Sequence, residues 1–275
     1  MTNALFRIDG DKPDIAVPSP RAASGWGISH MRGLAVSGIL AREVEKTLVV
    51  LGRAEMIPAR WTLDLHHAVP MAPCRMSTTV VRAGRRLCVI DAELRQEGEI
   101  LAQARALFFA AGQAPHGRTW EPAACEESPL PERPSQFDQV ERLYRSDNTE
   151  WLVPEYSPLD GHRKHIWQFA TPLVDGEPLT PFQAVASTAD LANAVTNLGT
   201  NGIEFINADV TLALMRRPVG LEIGLVAIDR MQRDGVVVGT ARVLDRQGPL
   251  GIATICSMST GKSVDPRQLG QRGTV

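Results

Sequence analysis

Lysine and cysteine are scarce in this chain, and neither sign of charge is in surplus. Its 275 residues include four lysines and four cysteines, and 31 acidic residues nearly balance 29 basic ones. The formal net charge of -2 disfavours nucleic acid as a partner, because phosphate binding usually requires a basic surplus. The cysteines, at positions 74, 88, 125 and 256, form no CxxC pair, so neither a zinc site nor a disulfide framework is expected.

Long uninterrupted hydrophobic runs are missing as well. No segment approaches the ~18 apolar residues of a membrane-spanning helix. Residues 1–7 lack the basic and apolar regions of a secretion signal. Hydrophobic residues nonetheless make up 44% of the chain, which is enough for a sizeable core. We expect a soluble, cytoplasmic protein with no membrane partner.

The common catalytic signatures are also absent. The sequence contains no GxSxG, no GxGxxG and no HExxH motif. Residues 260–263 resemble the end of a phosphate-binding loop, but Cys256 stands where its first glycine belongs, so a polar, frayed tail after Ser259 is expected. His66 and His67 adjoin at a predicted strand end and would point to opposite faces, which disfavours a shared metal.

What the chain does contain is an internal duplication. Residues 60–65 and 209–214 have the same strand pattern, with Thr62 and Thr211 in equivalent positions. Each of them is followed by a proline, two further strand–turn units and a closing apolar strand. Equivalent landmarks in the two copies lie 148 to 151 residues apart. Several landmarks in one order indicate two copies of one structural unit.

A helix is predicted before the strands of each copy. In the first copy, apolar residues recur on one helical face at Val36, Ile39, Leu40, Val44 and Leu48. Gly33 and Gly38, near its start, indicate close approach of another segment. In the second copy, residues 182–195 are rich in alanine, and Pro181 suits a first helical turn. A curved antiparallel sheet can bury such a helix, so the predicted fold is α+β, with two tandem helix-plus-sheet repeats.

The predicted units are residues 1–111 and 151–275, joined by an extended connection at 112–150. The connection is placed by its prolines, at positions 115, 122, 129, 131 and 134.

One carboxylate stands out in the second helix. Asp190 lies among small and apolar residues, and the first copy has Ala41 at the equivalent position. A solvated helix residue is the ordinary interpretation, and a partly buried general base is the functional one. Asn207 and Asp209 begin the next strand and are predicted to lie on one face, where an amide can hold a water or a carbonyl beside Asp190.

The duplicated pattern, the Met31 to Leu34 start of the first helix and the region from Asp190 to Pro218 resemble the double-hotdog acyl-CoA thioesterases of the thioesterase II type. The resemblance covers nearly the whole chain. It implies a double hotdog that hydrolyses acyl-CoA, requires no cofactor, forms a homodimer and serves lipid metabolism.

In that family an aspartate, a threonine and a glutamine orient and activate the attacking water. The resemblance places the aspartate at Asp190, the threonine at Asn207 and, counting from the turn at Gly248, the glutamine at Cys256. Two positions therefore depart from the family's residues. Asn207 can still bond a water, whereas Cys256 is a weaker partner.

Candidate substrate-binding residues are Gly33 and the glycine-rich segment 199–202, which permit close backbone approach, and arginines for the CoA phosphates. They are Gly33, Gly199, Asn201, Gly202, Arg216 and Arg217. The departures at Asn207 and Cys256 leave open a non-catalytic acyl-thioester-binding protein. A hotdog enoyl-thioester hydratase or dehydratase is a further alternative, but the histidine it expects after the aspartate is not found between Asp190 and Gly202.

Overall fold

The computed structural model describes residues 3–113, 116–120, 130–132 and 140–268. The helices are α1 (Gly33–Val50), α2 (Pro181–Thr188) and α3 (Ala192–Asn197). The strands of the first half are β1 (Phe6–Asp9), β2 (Lys12–Pro18), β3 (Ala23–Ser24), β4 (Gly27–Met31), β5 (Ile57–Leu65), β6 (Cys74–Ala83), β7 (Leu87–Gln96) and β8 (Glu99–Phe109). Those of the second half are β9 (Arg142–Ser146), β10 (Lys164–Gln168), β11 (Leu198–Gly199), β12 (Gly202–Asn207), β13 (Asp209–Leu214), β14 (Ile223–Arg233), β15 (Val236–Asp245) and β16 (Gly248–Val264).

One antiparallel sheet of 14 strands runs through the part of the chain that the structure describes. Its main path is β1-β2-β6-β7-β8-β5-β13-β16-β15-β14-β10-β9. The two halves join at the β5–β13 ladder, where Thr62 lies directly opposite Thr211. The predicted duplication is confirmed, because the two threonines that match in sequence meet at the junction of the halves.

The sheet surrounds the helices on their buried faces. Helix α1 packs against β6, β7 and β8, and α3 packs against β12, β14, β15 and β16. All five predicted apolar positions of α1, at 36, 39, 40, 44 and 48, are buried. This is the α+β double-hotdog fold that the sequence predicts.

Helices α1 and α2 pack closely because small residues line their contact. A Cβ atom on Gly38 would lie 2.8 Å from Leu173 Cδ1 and 3.1 Å from Ser187 Oγ, so no larger residue fits without a shift. Ser37 Oγ donates to the Ala186 carbonyl at 2.6 Å, and Ser187 Oγ donates to the Leu34 carbonyl at 2.7 Å. These two bonds lock the start of α1 against α2.

The predicted second helix is interrupted. A 3-10 turn, Ala189–Leu191, separates α2 from α3 and carries Asp190. Thr180 caps α2 by accepting a hydrogen bond from the Gln183 N–H at 3.2 Å. Tighter turns inside a helix often accompany functional positions.

Two other regions differ from the sequence prediction. The expected frayed tail after Ser259 is wrong up to Val264, because β16 continues there and Val264 pairs with Ile203. Within the predicted connection, residues 142–146 form β9 and pair with β10. The prolines at 115, 122, 129 and 134, and Cys125, lie outside the described residues, and the predicted unit boundaries remain a prediction. None of the helices in the described chain combines the length and apolarity needed to cross a membrane.

Candidate active site

Asp190 faces the N-terminus of α1. The Leu34 backbone N–H donates a hydrogen bond to the Asp190 carboxylate. A Cβ atom on Gly33 would lie 2.4 Å from Asp190 Oδ1, so only glycine allows this approach. The first turn of a helix presents N–H groups without intrahelical acceptors and a partial positive charge, both of which suit an anion. The structure has the close approach predicted for Gly33, with Asp190 as the neighbour, and substrate binding by Gly33 remains a prediction.

Asn207, at the end of β12, is the side-chain partner of Asp190. Its Nδ2 donates to Asp190 Oδ1 at 3.0 Å and to the Asp209 carbonyl at 3.3 Å. Both acceptors require the amide nitrogen on this side, which fixes the orientation of the amide. The structure thus brings together two of the three predicted catalytic residues.

A cluster of arginines around Glu141 adjoins the site. Arg32, the residue before α1, contacts Glu141 at 2.7 and 3.0 Å, and Arg21 and Arg142 contact it at 2.7 and 3.1 Å. Burial alone would raise the pKa of Glu141, but Arg32 first, and then Arg142 and Arg21, outweigh burial and hold that pKa well below its usual range. Glu141 therefore stays ionised and fixes Arg32 and Arg142 beside Asp190.

The protonation of Asp190 reflects opposing influences. Burial is the largest and raises the pKa of this carboxyl above its usual value. The hydrogen bonds from Asn207 and Leu34, and the charges of Arg142 and Arg32, lower it and offset only part of that effect. A carboxylate with a raised pKa is a stronger base than an ordinary exposed aspartate.

The prediction that Asn207 and Asp209 share a face is wrong. A bend at Ala208 separates β12 from β13. Asp209 lies on the outer face of β13, because Val210 and Leu212, which are buried, point to the inner face. There Asp209 Oδ1 accepts a hydrogen bond from the Cys256 N–H at 2.6 Å.

Cys256 also lies on the outer face of the sheet. Its side chain is mostly exposed, and partial desolvation together with the carboxylate of Asp209 raises the pKa of its thiol. The structure does not bring this thiol to Asp190, and a raised thiol pKa disfavours a nucleophilic role.

A bulge in β16 explains why counting from Gly248 led to Cys256. Val243 pairs with Gly251 and Leu244 with Pro249, which leaves one extra residue in β16. An extra residue moves every later side chain to the other face. Ser257 is therefore the residue that faces inward, where its hydroxyl donates to Asn193 Oδ1 at 2.8 Å.

The glycine-rich segment lies at the far end of α3 from Asp190. Gly199 and Gly202 pair across a tight turn that includes the exposed Asn201. Gly202 has a φ of 86°, and a Cβ there would lie 2.5 Å from the Val264 carbonyl oxygen. The close approach at Gly202 is thus to the backbone of β16, and substrate binding by Gly199, Asn201 and Gly202 remains a prediction.

The two candidate arginines have protein partners. Arg216 contacts the buried Asp245 at 2.7 and 2.8 Å and also donates to the Gly248 carbonyl. Arg217 donates to the Ala54 carbonyl at 2.8 Å, which ties the second half to the first. Phosphate binding by Arg216 and Arg217 remains a prediction, and these contacts give both residues a structural role.

No cluster of metal-ligating side chains occurs within the described ranges. His66 Nε2 instead contacts Gln103 at 2.9 Å.

Several neighbours of Asp190 were not identified from the sequence. Arg32 lies inside the segment that carries the family resemblance, so that motif could have identified it. Glu141 and Arg142 lie in the region interpreted as a connection, where no periodic pattern marks them.

Comparisons with known proteins agree with this architecture. Sequence models of the acyl-CoA thioesterase N-terminal and C-terminal domains match residues 22–109 and 122–254. The chain belongs to the acyl-CoA thioesterase family and is a thioester hydrolase. A comparison with curated protein sequences gives no significant match.

Solved structures share the fold over nearly the whole chain. The tesB protein of Mycobacterium avium subsp. paratuberculosis is 15% identical with a TM-score of 0.62, covering 93% of this chain and 95% of that one. Acyl-CoA thioesterase II TesB2 of Mycobacterium marinum is 17% identical with a TM-score of 0.57, covering 92% and 95%. A hotdog protein of unknown function from Alicyclobacillus acidocaldarius is 14% identical with a TM-score of 0.61, covering 93% and 95%. At these identities the likeness establishes the fold.

Proposed function

We propose that the protein hydrolyses acyl-CoA thioesters to free acid and CoA, using a water activated by Asp190. The observation that carries this proposal is the position of Asp190. Its carboxylate lies against the N-terminus of α1, where Asn207 and the Leu34 N–H fix its orientation.

In the proposed mechanism Asp190 accepts a proton from the water as the water oxygen attacks the thioester carbonyl carbon. The carbonyl oxygen becomes an oxyanion, which the Gly33 N–H stabilises, because the Leu34 N–H binds Asp190 and the N–H groups of Ala35 and Val36 bind the Arg32 carbonyl. Collapse of the tetrahedral intermediate breaks the carbon–sulfur bond, and the CoA thiolate takes up the proton. The raised pKa of Asp190 suits this role, because a base is most effective when its pKa approaches the working pH.

Asn207 is proposed to act in place of the family's threonine. Its Nδ2 holds Asp190, and its carbonyl oxygen is available to accept a hydrogen bond from the water. Cys256 has no part in this mechanism, because its side chain lies on the outer face of the sheet.

We propose that the protein works as a homodimer paired through the outer sheet face of its second half. Met231, Val236 and Met258 are exposed large apolar residues of β14, β15 and β16, and Val236 pairs with Met258. Clustered apolar side chains on a surface often mark an interface. Light scattering after size exclusion tests this proposal: a dimer that Met258→Glu dissociates supports it, and a wild-type monomer contradicts it.

The test of the activity is free-thiol release from acyl-CoAs of increasing length, for the wild type and Asp190→Asn. Turnover that the substitution abolishes supports the mechanism. Turnover that survives it would show that another group activates the water. No turnover, with acyl-CoA still raising the melting temperature, would favour the alternative of a non-catalytic binding protein.

A further inference from the structure

Three buried polar side chains form a hydrogen-bond network beside α3, on the side of the helix that faces the sheet. Asn193 and Asn197 lie one turn apart on α3, Ser257 lies on β16, and they are 6%, 7% and 3% exposed. Ser257 Oγ donates to Asn193 Oδ1 at 2.8 Å, and Asn197 Nδ2 donates to the same oxygen at 2.9 Å. At the surface, Arg230 Nε donates to Asn197 Oδ1 at 3.1 Å.

The first repeat provides an internal comparison for this network. The residues 149 positions earlier in the chain are all buried and apolar: Val44, Leu48 and Phe108. The strands match as well, because Phe108 pairs with Pro58 in the first repeat as Ser257 pairs with Asn207 in the second. The fold therefore accepts apolar residues at these positions. A fully bonded polar network fixes its members in one arrangement more strictly than apolar packing does.

The network attaches the segment that carries Asp190 to the strands around Asn207. Asn193 follows Asp190 by three residues, and its Nδ2 donates to the Phe205 carbonyl at 3.0 Å. Phe205 precedes Asn207 by two residues in β12, and Ser257 lies directly opposite Asn207 in the β12–β16 ladder. One amide thus connects the helix to both strands at the level of Asn207.

The segment around Asp190 needs such an attachment because it is short and interrupted. Asp190 lies in a 3-10 turn, and α3, which follows it, has only 6 residues. Helices of this length are not stable by themselves. In the first repeat the equivalent residue is Ala41, which lies within the continuous helix α1. The polar residues therefore occur in the repeat where a carboxylate has to be held in place.

We infer that Asn193, together with Ser257, is a positioning residue that holds Asp190 against Asn207 for the hydrolysis. The inference rests on the proposed function, because it takes Asp190 as the base. Neither residue is assigned a contact with the substrate. Their loss should therefore slow the chemical step and leave substrate binding unchanged, which appears as a lower kcat at a constant KM.

The experiment begins with Asn193→Leu, which keeps the shape of the side chain and removes its polar atoms. We expect kcat to fall by about tenfold, because misplacement of a catalytic group by a fraction of an ångström is enough for such a loss. KM should stay within about twofold of the wild type. Thr196→Val is the matched control and should keep both constants, because Thr196 is a buried residue of the same helix whose hydroxyl donates to the Ala192 carbonyl of that helix at 2.7 Å.

A second variant separates positioning from stability. Asn193→Leu leaves the Ser257 hydroxyl without its acceptor, which lowers stability. The double variant Asn193→Leu/Ser257→Ala removes both partners of that bond, and such paired replacements can be nearly neutral. Its melting temperature should therefore exceed that of Asn193→Leu, while its kcat stays about tenfold below the wild type.

Three results would overturn the inference while the proposed hydrolysis stands: an unchanged kcat in Asn193→Leu, a raised KM at an unchanged kcat, or a kcat that recovers with stability in the double variant. If neither variant folds, Ser257→Ala decides. A kcat lowered by about fivefold at constant KM, as expected for one lost hydrogen bond, supports the inference, and an unchanged kcat overturns it. If the wild type hydrolyses no acyl-CoA, the proposed function fails before any substitution is made, and the inference fails with it.

Discussion

Gly33 and Asp190, from opposite halves of the chain, are so close that a Cβ atom on Gly33 would lie 2.4 Å from Asp190 Oδ1. Gly33→Ala should therefore displace the carboxylate and reduce kcat/KM by about 100-fold, as misplacements of about 1 Å can do. The matched control is Gly10→Ala, because a Cβ at Gly10 meets nothing within 4 Å. Steady-state kinetics of both variants test this, and wild-type activity of Gly33→Ala would show that the observed contact is not needed for turnover.

Asp190→Asn should remove the base and retain the fold. We expect kcat to fall by about 10²- to 10⁴-fold, the usual contribution of general base catalysis. The amide oxygen can still accept from Asn207, and burial of a neutral group costs less than burial of a charge. The melting temperature at pH 7 should therefore not decrease. A marked decrease would mean that the carboxylate stabilises the fold, and the lost activity could not then be assigned to chemistry.

The pH profile should report the raised pKa of Asp190. Activity requires the carboxylate, so kcat/KM should decline as pH falls through a pKa above the ordinary aspartate value of ~3.9. Asn207→Ala removes a hydrogen bond that lowers this pKa, so the acid limb should move to higher pH. Asn148→Ala, at an exposed position where the amide contacts His162, is the control. If the acid limb has the same midpoint in all three proteins, Asn207 does not affect the ionisation of the catalytic base, and the prediction is wrong.

Glu141→Gln should destabilise the protein in a pH-dependent manner. The folded-state pKa of Glu141 is lowered, so its stabilising effect is present above the unfolded pKa of ~4.3 and is lost as pH falls through the folded value. At pH 7 we expect the free energy of unfolding to fall by on the order of 3 kcal/mol, since partners of a largely buried charge are left unpaired. Urea unfolding at pH 7 and pH 3 measures this. The difference in free energy of unfolding between the wild type and Glu141→Gln should be smaller at pH 3.

Glu93→Gln provides the comparison for Glu141, because Glu93 pairs with Arg95 at the surface. Such a pair is worth about 0–1 kcal/mol. Equal effects of the two substitutions would show that the arginine cluster around Glu141 acts as an ordinary surface network.

Cys256→Ala should leave kcat/KM within about twofold of the wild type, as for most exposed substitutions. The hydrogen bond to Asp209 comes from the backbone N–H and survives the change. A loss of tenfold or more in thiol-release assays would restore Cys256 to the catalytic set and contradict the mechanism proposed above.

Periodicity and duplication were sufficient to predict two helix-plus-sheet repeats, and the family resemblance implied the double hotdog. The buried stripe of α1 follows helical spacing, and the match of Thr62 with Thr211 identified two residues that the structure places opposite each other. Helical spacing and internal repeats are both visible as patterns of residue types along the chain, so they can be found without a structure.

The candidate site was predictable only where local pattern and resemblance coincided, at Gly33, Asp190 and Asn207. Two irregularities in the strands made the predictions for Asp209 and Cys256 wrong. The bend at Ala208 and the extra residue in β16 each changed which face a side chain occupies, and strict alternation cannot anticipate either. Glu141 joins the site through its charge pairs with residues distant in sequence, so no spacing rule reveals it.

The β5–β13 ladder has a consequence for how the two repeats depend on each other. It holds the first repeat, which supplies Arg32, Gly33 and Leu34, against the second, which supplies Asp190 and Asn207. Each repeat supplies only part of the candidate site. The chain therefore resembles a heterodimer whose two subunits are joined covalently. A substitution near Gly33 in the first repeat must remain compatible with Asp190 in the second.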